Sequence, residues 1–573
     1  MKTFNFLKYF VFVFIFILSS CDTIDLDQID NPSTPDARLY DPVFGFNYIQ
    51  IELASFVNET NGFTQQVMRQ MAMGGNDYND AFSPTSFNGH WTVGYGILNA
   101  VKFLEPKARE KNELFILGAS KVIESYVLMT LVDVYGDIPY TEAVNPNILN
   151  PKYDSSASVY KAALAGLDNG IAILQSAPSP SDKVSDLYYA KNKLYWITLA
   201  KTLKFKLLIT AREAGPDLGV DISSSINALI SENDLIDTVA EDFNFKYGKN
   251  RNVPNSRHPL YNDQYELGGG AYLGNYFIWA LTIEKNQAPD FDPRLGWYFF
   301  KQDLLDGKTA IQIPGRTRPV HYNNIEYNSF YSPGIRTCYT TSDWISTTTA
   351  APPSTGYLGR DHANPAGTPP DAEIRSVAGV YPVGGSFGGP SGNANEIVQK
   401  SGTSGALGAG VMPIIMSSFV QFLKAEAILK VPGVSGDAKI ELLGAISKSI
   451  DRVTTPIDNY PTLTVAILSN IASKKLAYLN FISSEYTSAT ADEKLEIVIK
   501  EYYLASWGNG LEPYNNYRRT GYPSNLQPTL ELNSGPFYYT AFYPQDASSS
   551  NPNTPPSLRT RKVFWDKANL TLK

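Results

Sequence analysis

Between Glu113 and Tyr135 the chain reads ELFILGASKVIESYVLMTLVDVY, with Leu114, Leu117, Val122, Tyr126, Met129 and Val134 forming an apolar stripe at helical spacing. Gly136 follows as a stop signal. The pattern returns over Ala157–Leu174, with Val159, Ala163, Leu167, Ile171 and Leu174, and over Tyr189–Arg212, with Trp196, Ala200, Leu203 and Leu207. Further helices are predicted from Met412 (MPIIMSSFVQFLKAEAILK), over Ala438–Ser449, Leu463–Tyr478 and Asp492–Trp507. Between these groups, from Asp242 to Gly410, Gly, Tyr, Asn, Pro and Thr dominate, as in QYELGGGAYLGNYF and GVYPVGGSFGGPSGNAN. That stretch reads as loops and short strands, and so long an irregular segment is usually functional or mobile. The fold class expected is mainly α: a helical scaffold over about 41–235 and 411–507, a loop-rich insert over about 240–410, and a loop-rich tail over 508–573. Paired helices are suggested, without a repeat of fixed period.

The amino terminus is a separate problem. Tyr9 to Leu18 is an uninterrupted run of ten apolar residues behind Lys2 and Lys8. A membrane-spanning helix needs about 20, so the run fits the core of a secretory signal peptide over 1–20. Leu18-Ser19-Ser20-Cys21 has the form of a lipobox, which makes Cys21 the expected lipidation site and the first mature residue. Several acyl chains anchor far more firmly than one. Residues 21–40 are polar, carry two prolines and read as the lipidated end and its tether. The remaining cysteine, Cys338, then has no partner, so no disulfide framework is expected and the core must hold residues 41–573 together as one domain. No other apolar run of about 18 residues is evident, so the body is expected to be soluble apart from its tether.

The chain carries a formal charge of −8, and deleting residues 1–20 removes two lysines and no acid, giving −10. An acidic chain without basic runs is a poor partner for nucleic acid or for anionic lipid. The four histidines, His90, His258, His321 and His362, show no metal-ligand spacing, and neither HExxH nor a P-loop occurs, so no metal or cofactor is expected. Gly384-Gly385-Ser386-Phe387-Gly388 matches a nucleophile elbow in letters only, because GPSGNANE cannot open the helix that the elbow requires. Asp290, Asp292, Glu426 and Glu512 could serve as paired carboxylates of a glycosidase, but nothing in the sequence pairs them.

The aromatic residues are more suggestive. Sugar rings present apolar faces to Trp and Tyr, while Asn, Asp and Arg take their hydroxyls, and a binding site needs a few such polar groups among aromatics. GGNDYNDAFSPTSFNGHW (74–91) offers Asn76, Tyr78, Phe87 and Trp91 in a loop setting; YNDQYELGGGAYLGNYFIW (261–279) offers Tyr261, Tyr265, Tyr272, Asn275, Tyr276 and Trp279. The candidate ligand contacts are Tyr78, Trp91, Tyr272, Asn275, Tyr276 and Trp279, against the plainer reading that any one of them is core.

Several stretches together resemble the SusD/RagB family of outer-membrane nutrient-binding lipoproteins. They are LVDVYGDIPYTEA (131–143), PKYDSSASVY (151–160), WITLAKTLKFKLL (196–208), FDPRL (291–295), VQFLKAEA (420–427), YRRTGYP (517–523) and RKVFWD (561–566). The resemblance covers most of residues 21–573 and is nearest to the SusD-like branch with YGDxPY and RRTGYP. It implies tetratricopeptide-like helix pairs with a loop-rich region shaping the ligand site. It also implies a protein on the outer face of the outer membrane that traps a nutrient over a SusC-like TonB-dependent transporter, without catalysis. Oligosaccharide cargo is the main expectation, peptide cargo the alternative, and a surface glycoside hydrolase a third reading. The motif residues themselves read as structural: Gly136 and Pro139 suit a sharp turn, Asp137 a cap, and Arg518 and Arg519 offer rigid forks for carbonyls and carboxylates.

Overall fold

The computed structural model describes residues 41–573 except 75–77, 269–270, 283, 285–291, 301–358, 361, 364–375, 389–400, 456–464, 530–533, 571 and 573. Cys21, Cys338, Asn76, Asp290 and His321 therefore lie outside the described residues.

Helices dominate. α1 (Pro42–Val67), α2 (Asn88–Glu110), α3 (Leu114–Tyr135), α4 (Ser156–Ser176), α5 (Lys193–Thr210) and α6 (Ile222–Glu232) form the first group. From α1 to α5 each helix packs on the next along the chain, and α6 packs on α5, the tetratricopeptide-like arrangement. α3 is the centre of this group. It is long and apolar enough to cross a membrane by length and composition, yet only Leu114, Lys121 and Glu124 escape full burial among α2, α4 and α5. Its end is set by Gly136 at φ 83°, a conformation a side chain would strain.

The insert returns to the scaffold through two small sheets. β1 (Phe243–Lys246) pairs antiparallel with β4 (Val411–Ile415), Phe243 opposite Ile415 and Lys246 opposite Val411. β2 (Phe299–Phe300) pairs antiparallel with β3 (Val377–Ala378). The second helical group then runs α7 (Asn275–Leu281) within the insert, followed by α8 (Ser417–Lys430), α9 (Ala438–Thr454), α10 (Val465–Ser488), α11 (Ala491–Ala505) and α12 (Leu511–Thr520).

Three boundaries differ from the sequence reading. The helix expected from Met412 is a strand through Ile415, because residues 411–415 find a partner in β1. α8 starts at Ser417, whose amide donates to Asp242 Oδ1 at 2.7 Å. The helix expected from Tyr189 starts at Lys193: Ala190 and Lys191 sit at φ 49° and 71°, and the Asn192 side chain caps the helix by accepting from Leu194 N. The tail is less irregular than expected, since YRRT closes α12.

The motif residues converge on one buried polar system that ties the two helical groups and the carboxyl-terminal segment together. Asp133 of α3 accepts from Asn515 Nδ2 (2.6 Å), Trp565 Nε1 (3.0 Å) and the Tyr160 hydroxyl. Glu426 of α8 takes Arg519 in a fork, Nε at 2.8 Å and Nη2 at 2.6 Å, and Arg212 Nη1 at 2.8 Å. Burial alone would raise the Glu426 carboxyl, but Arg519 and Arg212 outweigh it and hold the group below its usual range. Glu512 accepts from Tyr502 at 2.7 Å and pairs with Lys206 at 3.2 Å. Asp292 and Arg294 pair within FDPRL, with Arg294 reaching on to Ser449 at 3.0 Å. Asp137 does cap a helix, though a distant one: its Oδ1 accepts from Ser156 N at the start of α4, 2.7 Å away.

Candidate functional site: a cleft at the end of helix α1

The chain leaves α1 at Val67 and doubles back as an extended segment. Ala72 N donates to Tyr272 O at 2.8 Å and Gly274 N to Gln70 O at 3.0 Å, and Arg360 N donates to Leu273 O at 2.9 Å. Gly274 is required there, because a Cβ would fall 1.9 Å from the Arg69 carbonyl oxygen. This three-stranded seam carries Tyr272 and lays the Arg360 guanidinium over its ring, 3.7 Å from the centroid. Beside it opens a cavity of about 490 Å³, within the usual range for ligand sites. α1 supplies Asn58, Asn61, Gly62, Gln65 and Gln66; the insert supplies His258, Asp263, Tyr272 and Arg360; the scaffold returns with Met412 and Trp507. Asp263 lies in a π-helical turn, Asn262–Glu266, a geometry that recurs at functional sites.

Among the buried polar atoms of this wall, Trp507 Nε1, a donor, and Asp263 Oδ2, an acceptor, have no hydrogen-bond partner among the described residues. Such atoms are uncommon in folded proteins, and a hydroxylated ligand carries both complements. His258 contributes no charge, since burial pushes it down to about 3 and its Nδ1 accepts from Leu260 N.

A second cavity, about 390 Å³, shares Gly62, Gln66 and Gly74 with the first. Gly62 is inside α1, where glycine costs about 1 kcal/mol against alanine. Nothing lies within 4 Å of where its Cβ, or that of Gly74, would stand. The two cavities thus form one cleft astride the last turns of α1, with glycines along the shared wall.

The six residues proposed from sequence fall in four places. Tyr272 lines the cleft. Tyr78 is buried, with its hydroxyl 3.0 Å from His362 Nε2 and its carbonyl taking the Tyr538 hydroxyl at 2.6 Å. Asn275 is buried and accepts from Gly359 N at 3.0 Å, which fixes the seam from behind. Tyr276 and Trp279 are not in a loop but in α7; both are buried, the Tyr276 hydroxyl joined to Lys500 Nζ and Asn525 Oδ1 at 2.8 and 2.7 Å. Trp91 is likewise helical, in α2, half-buried among Tyr95, Tyr135, Tyr153 and Tyr543. Trp91, Tyr276 and Trp279 are thus helical rather than loop-borne, and Tyr78, Asn275, Tyr276 and Trp279 are buried among protein neighbours. The sequence reading missed Gly62, Trp507, Asp263 and Arg360. A glycine inside a helical stripe was the available signal for the first.

Residues 36–332 match a family model described as starch-binding associating with outer membrane, and residues 406–550 one described as SusD and RagB outer membrane lipoprotein. The chain belongs to the SusD/RagB family. Solved structures agree on the SusD/RagB fold. A chitin-binding SusD homolog from Flavobacterium johnsoniae is 16% identical, with 92% of this chain and 99% of that chain covered at a TM-score of 0.61. A SusD/RagB family protein from Bacteroides thetaiotaomicron is 16% identical, covering 91% and 99% at 0.60. A SusD homolog from Bacteroides uniformis is 17% identical, covering 92% and 100% at 0.57. No curated protein sequence matches the chain. The helix pairs and the mainly α architecture are those of a SusD/RagB protein.

Proposed function

We propose that this SusD/RagB protein is a cell-surface lipoprotein that binds oligosaccharide nutrients in the cleft beside Tyr272 and passes them to a SusC-like TonB-dependent transporter, without altering them. The observation that carries the reading is Gly62, a helix-interior glycine whose absent side chain opens onto both halves of the cleft. Around it stand an aromatic ring backed by a guanidinium, several amide side chains, and a buried donor and acceptor with unmet capacity. These suit a neutral polyhydroxylated ligand. Of the carboxylates weighed as catalysts, Asp292, Glu426 and Glu512 are bound in ion pairs, which favours binding over catalysis. Lipidation at Cys21 would hold the body at the outer membrane, facing outward.

The test uses residues 22–573 incubated with mixed oligosaccharide and peptide pools, followed by mass spectrometry of what is retained and what is changed. Retention of intact sugars by the parent protein and loss of that retention in Gly62→Trp, which fills the cleft from a position with open space, is the expected result. Retained peptides would redirect the reading to peptide cargo, and shortened products would make the protein an enzyme. Full-length Cys21→Ala, expressed without its transporter, is expected to leave the membrane fraction, since one anchor of several acyl chains is lost.

A further inference from the structure

The smaller half of the cleft differs in chemistry from the larger. Phe63, Phe82 and Phe87 wall it, with Phe63 edge-on to the other two at 5.2 and 5.3 Å. His90 closes one side but brings no charge. Its ring stacks on Phe56 at 4.5 Å, its nitrogens lie 3.0 Å from Thr60 Oγ1 and 2.8 Å from the Tyr135 hydroxyl, and burial pushes it down to about 3. Glu59 is the only carboxylate lining this cavity among the described residues, and no lysine or arginine lines it. Gly89 of α2 leaves room for the Glu59 carboxylate, since a Cβ there would stand 3.0 Å from Oε2. Partial burial raises the Glu59 carboxyl, and the carboxylate makes no ion pair among the described residues. Glu59 is exposed and shares the lining of this cavity with the phenylalanine wall.

An organic cation is the complement of that arrangement. A carboxylate supplies the counter-charge, and aromatic faces attract a cation that a small metal ion, with its tight water shell, would not share. We infer that the smaller cavity is an ammonium subsite, where Glu59 and the phenylalanine wall receive a primary amine carried by the cargo. Where the larger cavity holds sugar, the amine belongs to a 2-amino-2-deoxy sugar residue of the same chain. That identity of the carrier rests on the proposed oligosaccharide function; the ammonium subsite does not.

Two titrations separate the claims. In the first, n-butylammonium chloride and n-butanol are titrated into residues 22–573 at neutral pH and followed by ligand-observed NMR. Saturable binding of the amine, at least tenfold weaker in Glu59→Gln and partly kept in Glu59→Asp, with the alcohol indifferent to both changes, is expected. Absence of saturable binding, or equal affinity in the parent and Glu59→Gln, overturns the subsite. The second compares glucosamine and N-acetylglucosamine oligomers of equal length by calorimetry. The expected result is a preference for the free amine of about fivefold or more that vanishes in Glu59→Gln while the acetylated oligomer binds as before. A preference unchanged in Glu59→Gln overturns the role of Glu59. If the amine probe binds and neither oligomer does, the oligosaccharide reading falls and the ammonium subsite stands.

Discussion

The motif lock and the cleft are built from similar residues to opposite ends. In the lock, Glu426 meets Arg519 and Arg212, Asp133 meets Asn515 and Trp565, and Glu512 meets Tyr502 and Lys206. Each carboxylate is met by several donors, and the pairs join segments far apart in sequence. In the cleft, Trp507 Nε1 and Asp263 Oδ2 have no hydrogen-bond partner among the described residues, Glu59 shares the lining of the smaller cavity with phenylalanines, and Gly62 leaves its space open. A completed polar group holds a fold in one arrangement, because removing one partner leaves the other buried and uncompensated. The residues of the lock therefore read as scaffold.

The largest effect should come from breaking the lock. Glu426→Gln removes the forked counter-charge of buried Arg519 and leaves Arg212 only Glu213 at 3.9 Å, and about 3–5 kcal/mol of stability should be lost in urea denaturation. Cargo affinity per folded molecule should stay as in the parent; a stable variant with weakened binding would break the division. Trp279→Ala sharpens it from another side. The ring is buried beneath Lys500, so the change should cost about 3 kcal/mol or more of stability with binding intact. Loss of binding at unchanged stability would return Trp279 to the site.

Asp242 is the scaffold's exception. Burial raises its carboxyl from 3.8 to about 6 against the pull of the Ser417 amide and Arg452. The folded state thus holds a proton over a range where the unfolded state has released it. Between pH 4 and 6 this group's contribution to stability falls as pH rises, by roughly 3 kcal/mol across the window at about 1.4 kcal/mol per unit. In Asp242→Asn that slope should flatten, as measured by denaturation at a series of pH values. An unchanged slope would assign the pH dependence to other groups. Tyr272→Ala should weaken cargo binding by about 1–2 kcal/mol in calorimetry, in the range of aromatic contacts that matter without dominating. Full affinity there would move the cleft's centre away from the Arg360 stack.

How far the sequence could be read follows the same division. The stripes of α3, α4 and α9 were legible because one face of each is apolar at helical spacing. α2 was not, because Gly94, Gly96 and Pro106 interrupt its pattern; Gly94 is there since a Cβ would stand 2.9 Å from the Phe56 ring. β4 read as helix because its pairing with β1 joins residues nearly 170 positions apart, which no local pattern carries. Aromatic richness pointed to two stretches but could not separate the ring that lines a cavity, Tyr272, from those that fill the core, Tyr78 and Tyr276. That separation depends on which neighbours arrive from residues 360–540.

Gly62 gives the smallest effect and the sharpest one. It lies inside α1, with helical neighbours and open space at its Cβ position. Helix propensity alone favours Gly62→Ala by about 0.5–1 kcal/mol, and no clash opposes it. The variant should therefore be more stable than the parent in urea denaturation. If the glycine serves only packing, the gain comes without cost. If it keeps the cleft clear, the added methyl intrudes where cargo passes between the two halves, and affinity for oligosaccharide should drop several-fold while stability rises. A gain in stability together with a loss of binding is the signature of a position held below its folding optimum by its ligand. A gain in both would remove Gly62 from the site and leave the Tyr272 side of the cleft to stand alone.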